Sequence, residues 1–358
     1  MQLIWQIFSS FFKIGAFTIG GGYAMLPVMQ RDIVDRLGWL DEQEFMETIA
    51  VTQSAPGPIA VNTAILIGKQ MAGLPGVIAG CLGAVLPSFL IILAIAIFFR
   101  NILNWQPALN FFAGVRPAVV ALIAHVAWKM ARKLIGNTFQ LALIPQLPGP
   151  HYFCSQTAPH LHHPGQRRCH CHLGQHPQAT GKGGLKMWTL FITFFKIGLF
   201  TFGGGYAMIP LMQEEIIAHN WLTLAEFLNI VAIAEMTPGP IAVNTATYIG
   251  YQLYGVGGAA LATFGVVAPS LIIMVIFSHL LAKLRASKYS VALRGVAITV
   301  TALIAAAVLG LIKPAFTNYA DVAIALTAFV LVAKTKISPI LIILGSGLLG
   351  IVLYGYIL

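Results

Sequence analysis

Two short constellations in this sequence could do chemistry, and each is written twice. Residues 11–27 read FFKIGAFTIGGGYAMLP and residues 194–210 read FFKIGLFTFGGGYAMIP, identical at 14 of 17 positions. Lys13, Thr18, Gly20, Gly21, Gly22 and Tyr23 thus recur as Lys196, Thr201, Gly203, Gly204, Gly205 and Tyr206. Three consecutive glycines cost a continuous helix about 1 kcal/mol each relative to alanine. They do permit an unwound turn with several backbone N–H groups on one side. Such a nest, or the start of the half-helix after it, attracts anions, and a nearby lysine adds a full positive charge. The plainer alternative is that each lysine snorkels to the membrane interface and the glycines only let helices pack closely.

The second constellation is Pro56, Gly57 and Pro58 followed by Asn62, which returns as Pro238, Gly239 and Pro240 followed by Asn244. Two prolines around a glycine break a helix, and proline suits the first turn of the next one. Free carbonyls then precede the break and free N–H groups follow it, with Asn, and Thr63 or Thr245, one turn along. That arrangement suits an oxyanion with several acceptor oxygens; a purely structural kink is the alternative. Some charges stand in one copy alone. Glu235 faces neutral Gln53, Glu47 faces Asn229, Lys69 faces Tyr251, and Arg116 faces Ala297. Glu235, directly before the second break, is the candidate for proton coupling. Arg116 reads as an interfacial anchor or as a ligand, and His125, close to Trp128, as a packed core histidine.

The elements that must hold these residues are membrane helices. The 358-residue chain is 58% hydrophobic and 9% charged, against roughly 25% charged in a soluble domain. Residues 70–99, 236–282 and 337–358 contain no Asp, Glu, Lys or Arg. Each is at least as long as the ~20 residues that cross a bilayer as a helix. A soluble enzyme, a nucleic-acid binder and a disordered chain are excluded, so the net charge of +10 reports on loops and orientation, with lipid as the partner. The expected fold class is an all-α, polytopic transmembrane bundle of two homologous repeats with broken helices. Membrane segments are predicted at 3–27, 45–70, 77–99 and 111–128, then at 188–210, 227–251, 256–281 and 291–312, with two more at 322–332 and 338–358. The amino-terminal stretch reads as a retained first segment rather than a removable signal.

Loop charges bear on how the two repeats are related. Arg100 precedes the segment at 111–128, and Lys129, Arg132 and Lys133 follow it. In the second copy Lys283, Arg285, Lys288 and Arg294 precede the matching segment, and Lys313 follows it. By the positive-inside rule the repeats lie in opposite orientations, an inverted pair as in secondary transporters. Chance placement of a few basic residues is the alternative. Arg31 and Arg36 have no Lys or Arg counterpart in 211–226. With their loop inside and Arg100 outside, an odd number of crossings separates them, so one of the two blocks between, the one broken at Pro-Gly-Pro, is re-entrant or split.

Residues 145–186 interrupt the pattern with seven of the ten histidines and three of the four cysteines. The divisions expected are therefore 1–144 for the first repeat, 145–186 for a His/Cys/Pro-rich tract and 187–358 for the second repeat. The tract reads as out-of-frame translation joining two adjacent genes, with Met187 the original start of the second. A flexible linker and a metal loop using Cys169 to His172 are the alternatives, though the spacing fits no zinc template. No metal or cofactor is expected.

The strings FFKIGxFTxGGGYAMxP and PGPxAVNTA, each present twice and in order, resemble those of the chromate ion transporter family. The resemblance spans both repeats and nearly all of the chain outside 145–186. It implies a bacterial inner-membrane carrier that exports chromate, a sulfate analogue, and so confers chromate resistance. The family includes two-repeat chains and short chains encoded in pairs, so a homodimer or a pair of short-chain subunits is an implied assembly. A carrier or channel for another small inorganic anion is the alternative function. A membrane enzyme ranks last, because no paired carboxylates, metal ligands or nucleophile–base pair stand in the apolar segments.

Overall fold

The computed structural model describes residues 1–18, 21–99, 105–134, 183–201, 204–285, 290–335 and 337–357. Those residues form twelve α-helices and no strand. The first repeat holds α1 (Gln2–Phe17), α2 (Gly21–Gln30), α3 (Glu42–Ser54), α4 (Ile59–Phe99) and α5 (Gln106–Leu134). The second holds α6 (Gly183–Phe200), α7 (Gly205–Ala218), α8 (Leu224–Met236), α9 (Ile241–Arg285) and α10 (Ser290–Ala315), then α11 (Tyr319–Lys334) and α12 (Pro339–Val352). Helices α4, α5 and α9 are each long and apolar enough to cross a membrane.

Local sequence sets the helix ends. Asp41 caps α3 and Thr223 caps α8, each in a reciprocal capping box with Glu44 or Glu226, which satisfies two otherwise free N–H groups. Between α3 and α4 the chain turns at Pro-Gly-Pro. Thr52 Oγ1 lies 3.2 Å from Thr63 Oγ1, eleven residues on, where a continuous helix would separate them by ~16 Å. The two helices therefore form a V, and the block predicted at 45–70 does not pass straight through. The same holds for α8 and α9.

Helix α4 is itself two arms. At Ala72 (φ −142°, ψ 19°) and Gly73 (φ 62°, ψ −142°) the helix geometry is lost, and the chain folds back. Gly68 and Gly76 press on each other's backbone, and Gly80 presses on Ala64. A Cβ at any of these three glycines would collide with a carbonyl, so the close approach requires them. In α9 the turn recurs at Tyr254 (φ −140°, ψ 22°) and Gly255 (φ 64°, ψ −151°), with Gly250 against Gly258. Helix α1 lies along the outgoing arm of α4 through Gly15 and Gly83, and α6 lies along α9 through Gly198 and Gly265.

The halves share a core. Ile65, Phe112 and Val115 of the first repeat pack in one cluster with Phe194, Phe227 and Val243 of the second. Lys69 Nζ donates to Val275 O across the halves at 2.7 Å. Helices α11 and α12 lie on α5 of the opposite repeat, where Gly114 meets Ser346 and Gly350. Most of the basic residues flanking 111–128 and 291–312, and residues 145–182 of the His/Cys tract, lie outside the described residues and side chains, while 183–186 open α6.

Arg116 is a cross-half tie: its Nε donates to Asn229 Oδ1 at 2.8 Å. The anchor reading of the sequence thus becomes a specific hydrogen bond between α5 and α8. A hydrogen bond to a charged group is worth about 1.5–3 kcal/mol. Arg116→Ala should lose a comparable amount, read as a lower thermal midpoint of the detergent-solubilised chain. An unchanged midpoint would remove this bond from the stability of the assembly.

Candidate functional site: two helix breaks that meet across the repeats

The breaks anticipated from glycine and proline are present. Helix α1 ends at Phe17 and Thr18 is extended (φ −100°, ψ 119°); α7 starts after Gly204, whose φ is 105°. Gly21, Gly22 and Tyr23 open α2, and Gly205 and Tyr206 open α7. Gly20 and Gly203 lie outside the described residues.

Each repeat's glycine break is joined to the other repeat's Pro-Gly-Pro break. Gly57 N–H donates to Thr201 O at 2.8 Å, and Gly239 N–H donates to Thr18 O at 2.9 Å. Reciprocal contacts of this kind are the mark of a two-fold relation between the units. Helices α4 and α9 begin at these breaks. Their first-turn amides, at residues 59–61 and 241–243, have no carbonyl to meet within their own helix, and the positive ends of both helix dipoles point there. The start of α7 sits on the start of α9, with Gly205 against Ile241 and Ala242.

Polar side chains line the breaks at full burial. Asn62 Nδ2 donates to Pro56 O (3.0 Å) and Thr52 O (3.4 Å). Asn244 Nδ2 donates to Pro238 O (3.1 Å), Ala234 O (3.3 Å) and Thr237 Oγ1 (3.0 Å). These bonds staple each Pro-Gly-Pro turn to the helix that follows. Thr201 Oγ1 turns back to Ile197 O at 2.6 Å, whereas Thr18 Oγ1 has no partner among the described residues. Tyr206 donates its hydroxyl to Glu235 Oε2 at 3.0 Å, so two candidates from different motifs are brought together. Glu235 is 1% exposed, and its Oε1 has no partner among the described residues.

The two lysines are not brought in. Lys13 and Lys196 are exposed, on the flanks of α1 and α6 opposite the buried faces. Their helices turn Phe11, Ile14, Phe194 and Ile197 inward instead. Positive potential at the breaks therefore comes from amides and helix ends, not from ammonium groups.

Two serines take a place that the motifs did not assign. Ser88 and Ser270 are fully buried. A Cβ on Gly239 would collide with Ser88 Oγ, and one on Gly57 with Ser270 Oγ. Each hydroxyl thus closes the break of the opposite repeat, and neither has a partner among the described residues. The signal was present in the duplicated Pro87-Ser88 and Pro269-Ser270, which sit at the same spacing as the breaks. The arrangement gives two equivalent seats, each with hydroxyl, amide and carboxamide groups and no fixed charge except Glu235 at the second.

A family model described as Chromate transporter matches residues 5–154 and 188–351. The chain is 29% identical over 380 residues to a "Probable chromate transport protein" of Synechococcus elongatus, covering 98% of this chain and 95% of that protein. It is 28% identical over 376 residues to a "Chromate transport protein" of Cupriavidus metallidurans, covering 98% and 93%. An "Uncharacterized transporter YwrA" of Bacillus subtilis matches at 36% over 117 residues, covering 32% of this chain and 64% of that protein. No solved structure matches the chain.

Proposed function

The chain belongs to the chromate transporter family, and from that premise we propose that it is a carrier of chromate, a sulfate-like oxyanion, at the paired breaks. One observation carries the reading: each Pro-Gly-Pro break is bonded to the other repeat's glycine break, at Gly57–Thr201 and Gly239–Thr18. Helix-start amides and a buried serine hydroxyl then converge at each crossing, which is the chemistry that holds an oxyanion without a metal or a covalent step. The substrate-binding set is Thr18, Gly20, Gly21, Gly22, Tyr23, Pro56, Gly57, Pro58 and Asn62, with Thr201, Gly203, Gly204, Gly205, Tyr206, Pro238, Gly239, Pro240 and Asn244, joined by Ser88 and Ser270. Lys13 and Lys196 act from the flanks, drawing anions toward the protein. Glu235 is the coupling group.

Because Asn62, Ser88, Asn244 and Ser270 are all fully buried, an anion reaches them only when one repeat moves against the other. That favours alternating access over an open channel. The reciprocal bonds and the reversed loop charges together support inverted repeats in a bacterial inner membrane. Export then follows the inside-negative potential, at ~2.3 kcal/mol per charge per 100 mV, and yields chromate resistance. The partition into 1–144, 145–186 and 187–358 accords with a fusion of two short chains, and the match to YwrA supports the same reading. Shifting the frame near codon 145 should yield an apolar run like 322–358.

The test is chromate flux into inverted membrane vesicles. The intact chain should accumulate chromate, with sulfate competing as a weaker analogue. Ser88→Ala with Ser270→Ala should slow flux at least roughly tenfold, since each removes a buried donor worth about 1.5 kcal/mol or more to a charged ligand. Lys13→Ala and Lys196→Ala should stay within about threefold, as exposed charges do. No flux from the intact chain would sink the proposal.

A further inference from the structure

Asn62 and Asn244 carry a constraint on what the seats accept. Each carboxamide is oriented by its own donors: Asn62 Nδ2 rests on Pro56 O and Thr52 O, and Asn244 Nδ2 rests on Pro238 O, Ala234 O and Thr237 Oγ1. Turning either amide over would set its oxygen against backbone carbonyls, so the assignment is fixed by the surrounding bonds. Both Oδ1 atoms therefore face the break. They lie 3.5 and 3.4 Å from where a Cβ on Gly57 or Gly239 would stand, beside Ser270 Oγ and Ser88 Oγ. Both are at 0% exposure and neither has a donor among the described residues.

We propose that each seat takes the tetrahedral oxyanion in its singly protonated form, the anion's own hydroxyl donating to Asn62 Oδ1 or Asn244 Oδ1. This rests on the reading that the paired breaks bind the oxyanion. A fully ionised tetrahedral anion offers lone pairs alone, and would leave a buried carbonyl oxygen both unpaired and repelled. A hydrogen oxyanion supplies one donor for that oxygen. Its three remaining oxygens accept from the serine hydroxyl and from the first-turn amides at 59–61 or 241–243. Sites built to pair with a substrate hydroxyl reject analogues that lack it far more strongly than apolar pockets reject a misfit. Chromate gives up its last proton near neutral pH, phosphate only partly there, and sulfate and selenate well below it. The seats thus separate chromate from sulfate by proton content rather than by size.

Other ionisable groups stand on the surrounding elements, among them Cys81 of α4, Glu214 and Glu215 of α7 and Tyr248 of α9. Around the first seat, Glu42, Glu44 and Glu47 of α3 and Lys196 of α6 are exposed, and Lys69 of α4 holds Val275 O. Around the second, Lys13 of α1 is exposed, Glu226 of α8 serves its helix cap, and Tyr206 of α7 binds Glu235. Glu235 is the group whose titration could imitate the effect, so it is neutralised in the test.

Equilibrium binding of radiolabelled chromate to the full purified chain in detergent should be measured from pH 6 to 8.5, in the wild type and in Glu235→Gln. Affinity should fall about tenfold per pH unit above chromate's own last ionisation, as one bound proton requires, with the same slope in both proteins. Inorganic phosphate should displace chromate at an excess at which sulfate and selenate do not. A flat profile, a slope lost in Glu235→Gln, or sulfate displacing as well as phosphate would each overturn the proposal. Absence of chromate binding at every pH would instead remove the carrier reading, and this inference with it.

Discussion

Gly57→Ala and Gly239→Ala should each reduce chromate flux by two orders of magnitude or about that, the largest loss expected from a single methyl group in this chain. Two effects add at these positions. Their φ values are +99° and +106°, outside what an L side chain adopts without strain, and a residue held there costs about 1–3 kcal/mol. The new Cβ would also fall on Ser270 Oγ or Ser88 Oγ, so the serine and the break must separate. That separation breaks the geometry in which the Gly57 and Gly239 amides reach Thr201 O and Thr18 O. The fold supplies a control within itself. Gly73 and Gly255 have φ of +62° and +64° but open space where a Cβ would stand. Gly73→Ala and Gly255→Ala therefore carry strain without collision, and should lose at most severalfold in flux. Monodispersity by size exclusion, measured beside flux, separates misfolding from a spoiled seat. Equal flux in Gly57→Ala and Gly73→Ala would show that the crossing does not handle substrate. Combining Gly57→Ala with Ser270→Ala should recover folded protein but not flux, because the hydroxyl is gone.

Where the helices break was legible in the sequence, because glycine and proline act locally on φ, ψ and the N–H inventory. The duplicated strings placed both kinds of break to within a residue or two. Which breaks would meet was not legible. Spacing along the chain fixes position within a repeat, whereas the Gly57–Thr201 and Gly239–Thr18 bonds are set by how two repeats dock. The fold-back at Ala72 and Gly73 was legible, since it falls in the gap between the segments predicted at 45–70 and 77–99. How tightly the two arms pack was not legible, because Gly68, Gly76 and Gly80 declare their purpose only once their partners are known. The lysines mislead in an instructive way: a cation near an anion motif invites pairing, yet the helical phase of Lys13 sets it opposite Phe11 and Ile14. Hydrophobic neighbours decided its direction. The serines were passed over although Pro-Ser is duplicated at the spacing of the breaks, because a hydroxyl in an apolar segment does not say which element it faces.

Glu235→Gln should remove one proton's share of the response of flux to a pH gradient while leaving chromate exchange in place. The second seat differs from the first in carrying this carboxyl where the other has Gln53, and a coupling device needs that kind of asymmetry. At 1% exposure, with one hydrogen bond from Tyr206, an ionised carboxylate is costly to hold, by several kcal/mol. Opening the second break to water on either side relieves that cost, so proton occupancy changes with the state of the carrier. Glutamine keeps the acceptor for the Tyr206 hydroxyl and removes only the proton site. A gradient of ~1 pH unit is worth about 1.4 kcal/mol per coupled proton, or about tenfold in accumulation ratio. The wild-type chain in vesicles should show that tenfold change beyond the response that the anion's own bound proton brings, and Glu235→Gln should keep only the latter. Tyr206→Phe supplies the complement: it strips the carboxyl of its remaining partner and should slow flux severalfold, with the gradient response retained. If Glu235→Gln follows the gradient as steeply as the wild type, the coupled proton travels by another route, and the carboxyl serves the packing of α7 against α8 alone.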